Sequence, residues 1–184
     1  MHYTLGIFFG GIIILYGMLL LTRRKFAIRE TYVNLFFLGI VILPRIIDVI
    51  KEGKWLWALP LLIGALILVL IVGRHRVTLT NVDAQMVATA LTGVLKERGM
   101  AYEKYKNKII LKGYENKEIK YMHSLNSVSI DFNCIKDLPF YKEVEGALIH
   151  RIQKSDEKVF PSSGVFYIVI GWLYLLLYYN TVKM

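Results

Sequence analysis

The sequence predicts a membrane protein, with a four-helix α transmembrane region and a small cytoplasmic α+β domain built as an antiparallel sheet with two helices. Three observations predict it. Hydrophobic residues make up 55% of the 184 residues, and the mean hydropathy of +0.47 is above that of an ordinary globular domain. The apolar residues are gathered in long uncharged blocks. Between the third and fourth block lies one stretch, 77–161, whose pattern is that of a water-facing domain. The same composition excludes a disordered or collagen-like chain, and a single cysteine excludes a disulfide scaffold.

The blocks define the elements of the membrane region, residues 1–76 and 162–184. Tyr3 to Leu21, Trp55 to Gly73 and Ser162 to Thr181 contain no charge. A helix rises about 1.5 Å per residue, so about 20 apolar residues match a hydrocarbon core of about 30 Å. Expected spans are therefore 3–22, 31–50, 55–73 and one within 162–184, ahead of a short outer tail. The second span is uncharged only from Thr31 to Pro44 and then takes in Arg45 and Asp48. Those two lie three apart, share a helix face and form a candidate intramembrane ion pair. The other reading of this block is a re-entrant or interfacial helix.

Orientation follows from lysine and arginine in the short connections. Arg23, Arg24, Lys25 and Arg29 follow the first block, and Arg74 and Arg76 follow the third. The bias puts both termini outside and 77–161 in the cytoplasm of a multi-pass cell-membrane protein. Trp55, Trp57, Tyr178 and Tyr179 would then sit at the outer interface. The first block lacks a basic n-region and a small-x-small site, so it reads as an uncleaved span.

The net charge of +9 invites a nucleic-acid reading, and the location of the charges argues against it. Residues 77–161 hold 13 basic residues against 11 acidic ones. Most of the excess lies in the apolar part, as a topology signal. One local run remains, Lys104, Lys106, Lys108 and Lys112, interleaved with Tyr102 and Tyr105. Its ordinary reading is the solvated face of a hairpin. Contact with anionic headgroups comes next, and single-stranded nucleic acid last.

Within 77–161 the periodicities name the elements. Val82, Met86, Ala90, Leu91, Val94 and Leu95 fall at helical spacing, with Asn81 or Thr80 as the expected cap and Gly99 as the stop. Ala101 to Tyr105 and Lys108 to Lys112 flank a turn at Asn107, and Lys117 to Met122 alternates. Val128, Ile130 and Phe132 alternate with Ser127, Ser129 and Asp131, the clearest strand of the chain. Val77 and Leu79 add a candidate short strand. Asp137 is an expected cap for a second helix carrying Tyr141, Val144, Leu148 and Ile152, with Pro139 in its first turn.

Chemistry is sparse. His2, His75, His123 and His150 form no metal-ligand spacing. Cys134, His123 and Asp131 assemble into a nucleophile set only on paper, and a lone cysteine is usually a small buried hydrophobe. No phosphate-binding glycine motif occurs in the α+β segment. Gly6 and Gly10 make a GxxxG, suited to close helix packing within the chain or against a partner. The expectation is therefore a protein without a cofactor and without catalysis. Its cytoplasmic domain would bind a partner as an accessory or regulatory subunit of a membrane complex. The alternative is a small homo-oligomeric transporter, or a transporter subunit, using Arg45 and Asp48. Expected partners are the lipid bilayer and a protein or second copy, with nucleic acid unlikely.

Overall fold

A computed structural model describes residues 2–183, apart from the side chains of 2–6, 40, 41, 43–45, 55, 58, 178 and 180–183. The chain divides into two compact units. The first comprises 1–19, 30–74 and 164–184; the second comprises 20–29 and 75–163.

The helical unit is built on α1 (His2–Leu21), α2 (Glu30–Lys51), α3 (Trp55–Val72) and α6 (Ser162–Lys183). Glycines set how closely these helices approach. A Cβ on Gly17 would lie 2.8 Å from Ile168 Cγ1, and one on Gly171 would lie 2.6 Å from Ile14 Cγ1. The α1–α6 contact therefore tolerates no side chain at either position. Phe9 and Ile13 are buried, with Phe36, Tyr167 and Tyr174 packed against them. A Cβ on Gly73, after α3, would meet the backbone of Thr31 at 2.7 Å.

The expectation of four membrane-crossing helices is corrected here. Among the described residues, no helix is long and apolar enough to cross a membrane. α2 holds Glu30, Arg45, Asp48 and Lys51 within its bounds. The fold is α+β, with a six-stranded antiparallel sheet. The multi-pass, cell-membrane topology with termini outside and a cytoplasmic domain falls with the spans. So do the accessory-subunit and transporter readings that rested on it.

The α+β unit contains β1 (Phe26–Arg29), β2 (Arg76–Thr80), α4 (Ala84–Glu97), β3 (Tyr102–Lys104), β4 (Lys108–Leu111), β5 (Glu118–Ser124), β6 (Ser127–Asp131) and α5 (Tyr141–Lys154). Strand order is β1-β2-β6-β5-β4-β3. β2 is an interior strand, paired with β1 and β6. β1 comes from the basic segment that the charge pattern had assigned to a connection. Phe26, Ala27 and Ile28 pair with Thr80, Leu79 and Thr78, so the backbone of this short stretch completes a ladder despite its charged flanks.

Alternation along the strands sends one face into a single core. Val77, Leu79, Ile109, Leu111, Ile119, Tyr121, Val128 and Ile130 point into it, and α4 and α5 close it with Val87, Leu91, Leu95, Val144, Leu148 and Ile152. α4 begins at Asp83, whose carboxylate accepts from Met86 N at 2.7 Å. The expected caps Thr80 and Asn81 are used elsewhere. Gly99, at φ +65°, follows the helix in the left-handed conformation that suits glycine. α5 starts at Tyr141, not after Asp137. A 3-10 turn at Asn133–Ile135 leads into bonds from Leu138 N to Ile135 O and from Tyr141 N to Leu138 O, and these tight turns consume the residues around Pro139.

Phe132, 1% exposed, closes the end of β6 against Tyr141, with ring centroids 5.9 Å apart. Phe132→Ala is expected to lower stability by about 3–5 kcal/mol, whereas Met122→Ala, at a site 72% exposed, should change it little. Denaturant unfolding of the full chain in detergent micelles measures both, and equal tolerance would mean the register of β6 is wrong.

Candidate functional site

The α+β unit carries one fully satisfied polar cluster in its interior. Asn81, Asn126 and Ser163 are each at most 3% exposed. Asn81 sits at φ +57°, a conformation that asparagine tolerates better than most residues. Its Nδ2 donates to Leu20 O at 3.0 Å and to Arg24 O at 2.9 Å. Its Oδ1 accepts from Asn126 Nδ2 at 2.6 Å. Asn126 Oδ1 in turn accepts from the backbone N–H of Ser163 at 2.9 Å and from its hydroxyl. The two asparagines spend their polar atoms on structure, which is why no chemistry is read there.

Around Tyr141 a second polar group forms. His75, at φ +60°, holds its Nδ1 3.4 Å from Tyr141 Oη, with the rings edge to face at 5.7 Å. Burial, with the Glu145 carboxylate beside it, pushes the Tyr141 phenol up to about 12, against a smaller opposing pull from Arg29. The phenol therefore stays protonated at neutral pH and serves as a hydrogen-bonding group.

The other face of the sheet is a charge ladder. Arg76, Asp131, Lys120 and Lys108 lie in one cross-strand row. Arg76 Nη2 meets Asp131 at 2.9 Å. Glu118 takes Lys120 at 2.6 Å and Lys108 at 2.9 Å, so the two like charges directly opposite each other share one carboxylate. Those hydrogen bonds, from Lys120 first and then Lys108, hold Glu118 below the usual carboxylate range.

The residues singled out from the sequence are distributed as follows. Lys108 and Lys112 are engaged by Glu118 and Glu103, the latter at 3.1 Å, and Lys108 lies 5.8 Å from the Tyr105 ring centroid. Lys104 and Lys106 are exposed. Gly10 lies where a Cβ would run into Leu175, and Gly6 falls outside the described side chains. Asp48 is half-buried and has a partner. The side chain of Arg45, like those of Trp55 and Tyr178, falls outside the described residues. Cys134 is exposed. His123 pairs with Val128, and Asp131 with Lys120, so by the two-residue pleat His123 and Asp131 project from opposite faces of the sheet. The paper set of Cys134, His123 and Asp131 is not assembled.

A shallow cleft of about 340 Å³ opens between α4 and α5, lined by Met86, Thr89, Ala90, Gly93, Arg151, Ile152, Ser155 and Glu157. Arg151 lies over Gly93 and pairs with Glu97. Among the described residues no group of three or more His, Cys, Asp and Glu side chains is placed to hold a metal ion.

The helical unit presents the larger feature. Leu15, Met18 and Leu19 on α1 are at least half exposed. So are Leu56, Trp57, Leu61, Ile63, Ile67, Leu68 and Ile71 on α3, and Val169, Trp172, Leu173, Leu176 and Leu177 on α6. Their uncharged apolar blocks located these helices in the sequence, but which of their side chains stay outward is a property of the packing. No family model, no curated protein and no solved structure matches the chain.

Two outcomes follow from this geometry. Asn126→Ala strips partners from Asn81 Oδ1 and from the N–H of Ser163, and about 1–3 kcal/mol is expected for each group left unsatisfied. A thermal melt in detergent reads it, and an unchanged midpoint would show that water replaces the lost amide. Tyr141 has its proton held more tightly in the folded chain than in the unfolded one, where the ordinary value is 10.0. Its contribution is therefore full below pH 10 and declines from there towards pH 12. Tyr141→Phe should flatten that part of the alkaline loss of stability, followed by circular dichroism.

Proposed function

We propose that this chain is a lipid-associated binding protein that acts by contact and not by bond-making. One observation carries the reading: the outward apolar side chains of α3 cover most of the circumference of the helix. Successive residues turn by about 100°, so Leu66, Ile67, Leu68, Leu70, Ile71 and Val72, all between 41% and 67% exposed, spread over about 240°, while Val69, 9% exposed, marks the inward side. A protein groove takes one stripe of a helix, whereas an apolar medium contacts every outward side. Exposed apolar area on this scale marks a surface that is covered in use. The reading requires contact with an apolar lipid phase and does not require any helix to cross it.

Flotation of the purified full chain with phosphatidylcholine vesicles tests this. The chain should rise with the vesicles and stay bound in 1 M salt, where charge contacts are screened within about 3 Å and apolar contact persists. Leu68→Glu, at an exposed site, should lower the floated fraction without disturbing the α+β core. A wild-type chain that remains monodisperse in aqueous buffer without lipid or detergent, and does not float, would overturn the reading.

A further inference from the structure

We propose that the α+β unit carries a binding surface for anionic phospholipid headgroups, formed by Arg23 and Arg24 together with Leu125 and Phe160; this rests on the lipid-associated reading above. The placement comes from the buried amide cluster. Asn81 binds the backbone carbonyls of Leu20 and Arg24, and it is bonded to Asn126, which holds Ser163. The segment bearing Arg23 and Arg24 is therefore two side-chain hydrogen bonds from the β5–β6 turn and three from the chain entering α6.

Each of these segments turns something outward. Arg23 and Arg24 are exposed, and among the described residues neither guanidinium has a carboxylate partner. Their neighbour Lys25 is already used, its Nζ donating to Ser155 O at 2.5 Å. Leu125 is 49% exposed at the tip of its turn, and Phe160 is 69% exposed. Leu125 is held at φ +54°, a backbone conformation that a leucine rarely adopts. The amide bonds of Asn126 hold the turn that presents it.

Two guanidiniums without a carboxylate partner among the described residues, on a segment tied through Asn81 and Asn126 to the turn that bears Leu125 and to the stretch that follows Phe160, match the boundary of an anionic bilayer. Arginine forks take phosphate oxygens bidentately, and leucine and phenylalanine enter the acyl region just below. The lysine run at 104–112 fits less well, because Lys108 and Lys112 already face carboxylates. A nucleic acid would use the arginines and stack a base on Phe160, leaving the aliphatic Leu125 in water.

The test places an environment-sensitive fluorophore on Leu125→Cys in a Cys134→Ser background, in the full chain bound to vesicles. Quenching by spin-labelled phosphatidylglycerol is compared with quenching by spin-labelled phosphatidylcholine. Each basic residue near an anionic surface is worth a factor of about five, so phosphatidylglycerol should be enriched about fivefold or more at the label. Arg23→Gln with Arg24→Gln should bring the ratio near one while flotation persists. Lys104→Gln with Lys106→Gln should leave the ratio unchanged. A wild-type ratio near one, or a ratio insensitive to the arginine pair, overturns the proposal even if the chain floats. Loss of the enrichment in millimolar inorganic phosphate would assign the arginines to free anions and overturn the lipid assignment. Failure to float at all refutes the underlying lipid reading instead.

Discussion

The side-chain amide of Asn81 is the interaction on which the α+β unit depends. It lies next to β2, an interior strand, and bonds the carbonyls of Leu20, at the end of α1, and of Arg24, just ahead of β1. Asn126 extends the same bonding to Ser163. Segments separated by up to about 140 positions in the chain are thereby fixed around two residues. In a buried site each of these polar atoms would be costly without its partner, so the cluster selects one arrangement of four segments. Apolar packing alone, being non-directional, would select it far less sharply.

The two units solve the burial problem in opposite ways. In the α+β unit the sheet and two helices seal a continuous core, with Val82, Val87, Leu91, Leu95 and Ile119 fully buried. The polar face of the sheet balances its own charges through Asp131 and Glu118. In the helical unit the buried pair Phe9 and Ile13 is small, and much of the apolar side-chain surface stays outward. Glycines at the α1–α6 contact bring the backbones close. Close packing between helices therefore coexists with a large apolar exterior, and the proposed lipid association rests on that exterior.

Much of the α+β fold was legible because its signals are periodic. Alternation at Val128, Ile130 and Phe132 marked a strand with one dry face, and the spacing from Met86 to Leu95 marked a helix. Signals carried by single residues were less secure. Asp83, not Thr80 or Asn81, caps α4, because Asn81 turns its amide towards Leu20 and Arg24. Asp137 reads as a cap in sequence, yet the tight turns after Asn133 delay α5 to Tyr141. The strand at Phe26 was hidden by its basic flanks, since charge density suggests a connection while pairing with β2 is a long-range event. The lysine run read as one patch, and cross-strand partners divide it.

The sequence by itself determined where the apolar helices lie and that residues between them form an α+β unit, because periodicity and block hydropathy act over a few turns of local chain. It did not determine whether those helices reach across a membrane, nor which side chains they leave outward. Only the tertiary structure decided that Phe26 to Arg29 joins the sheet, that His123 and Asp131 stand on opposite faces, and that Asn81 and Asn126 tie the segment at Leu20 to Arg24 to Ser163. Each of these depends on contacts between distant segments, and a hydrogen bond such as that from Asn126 to Asn81 leaves no periodic trace in the chain.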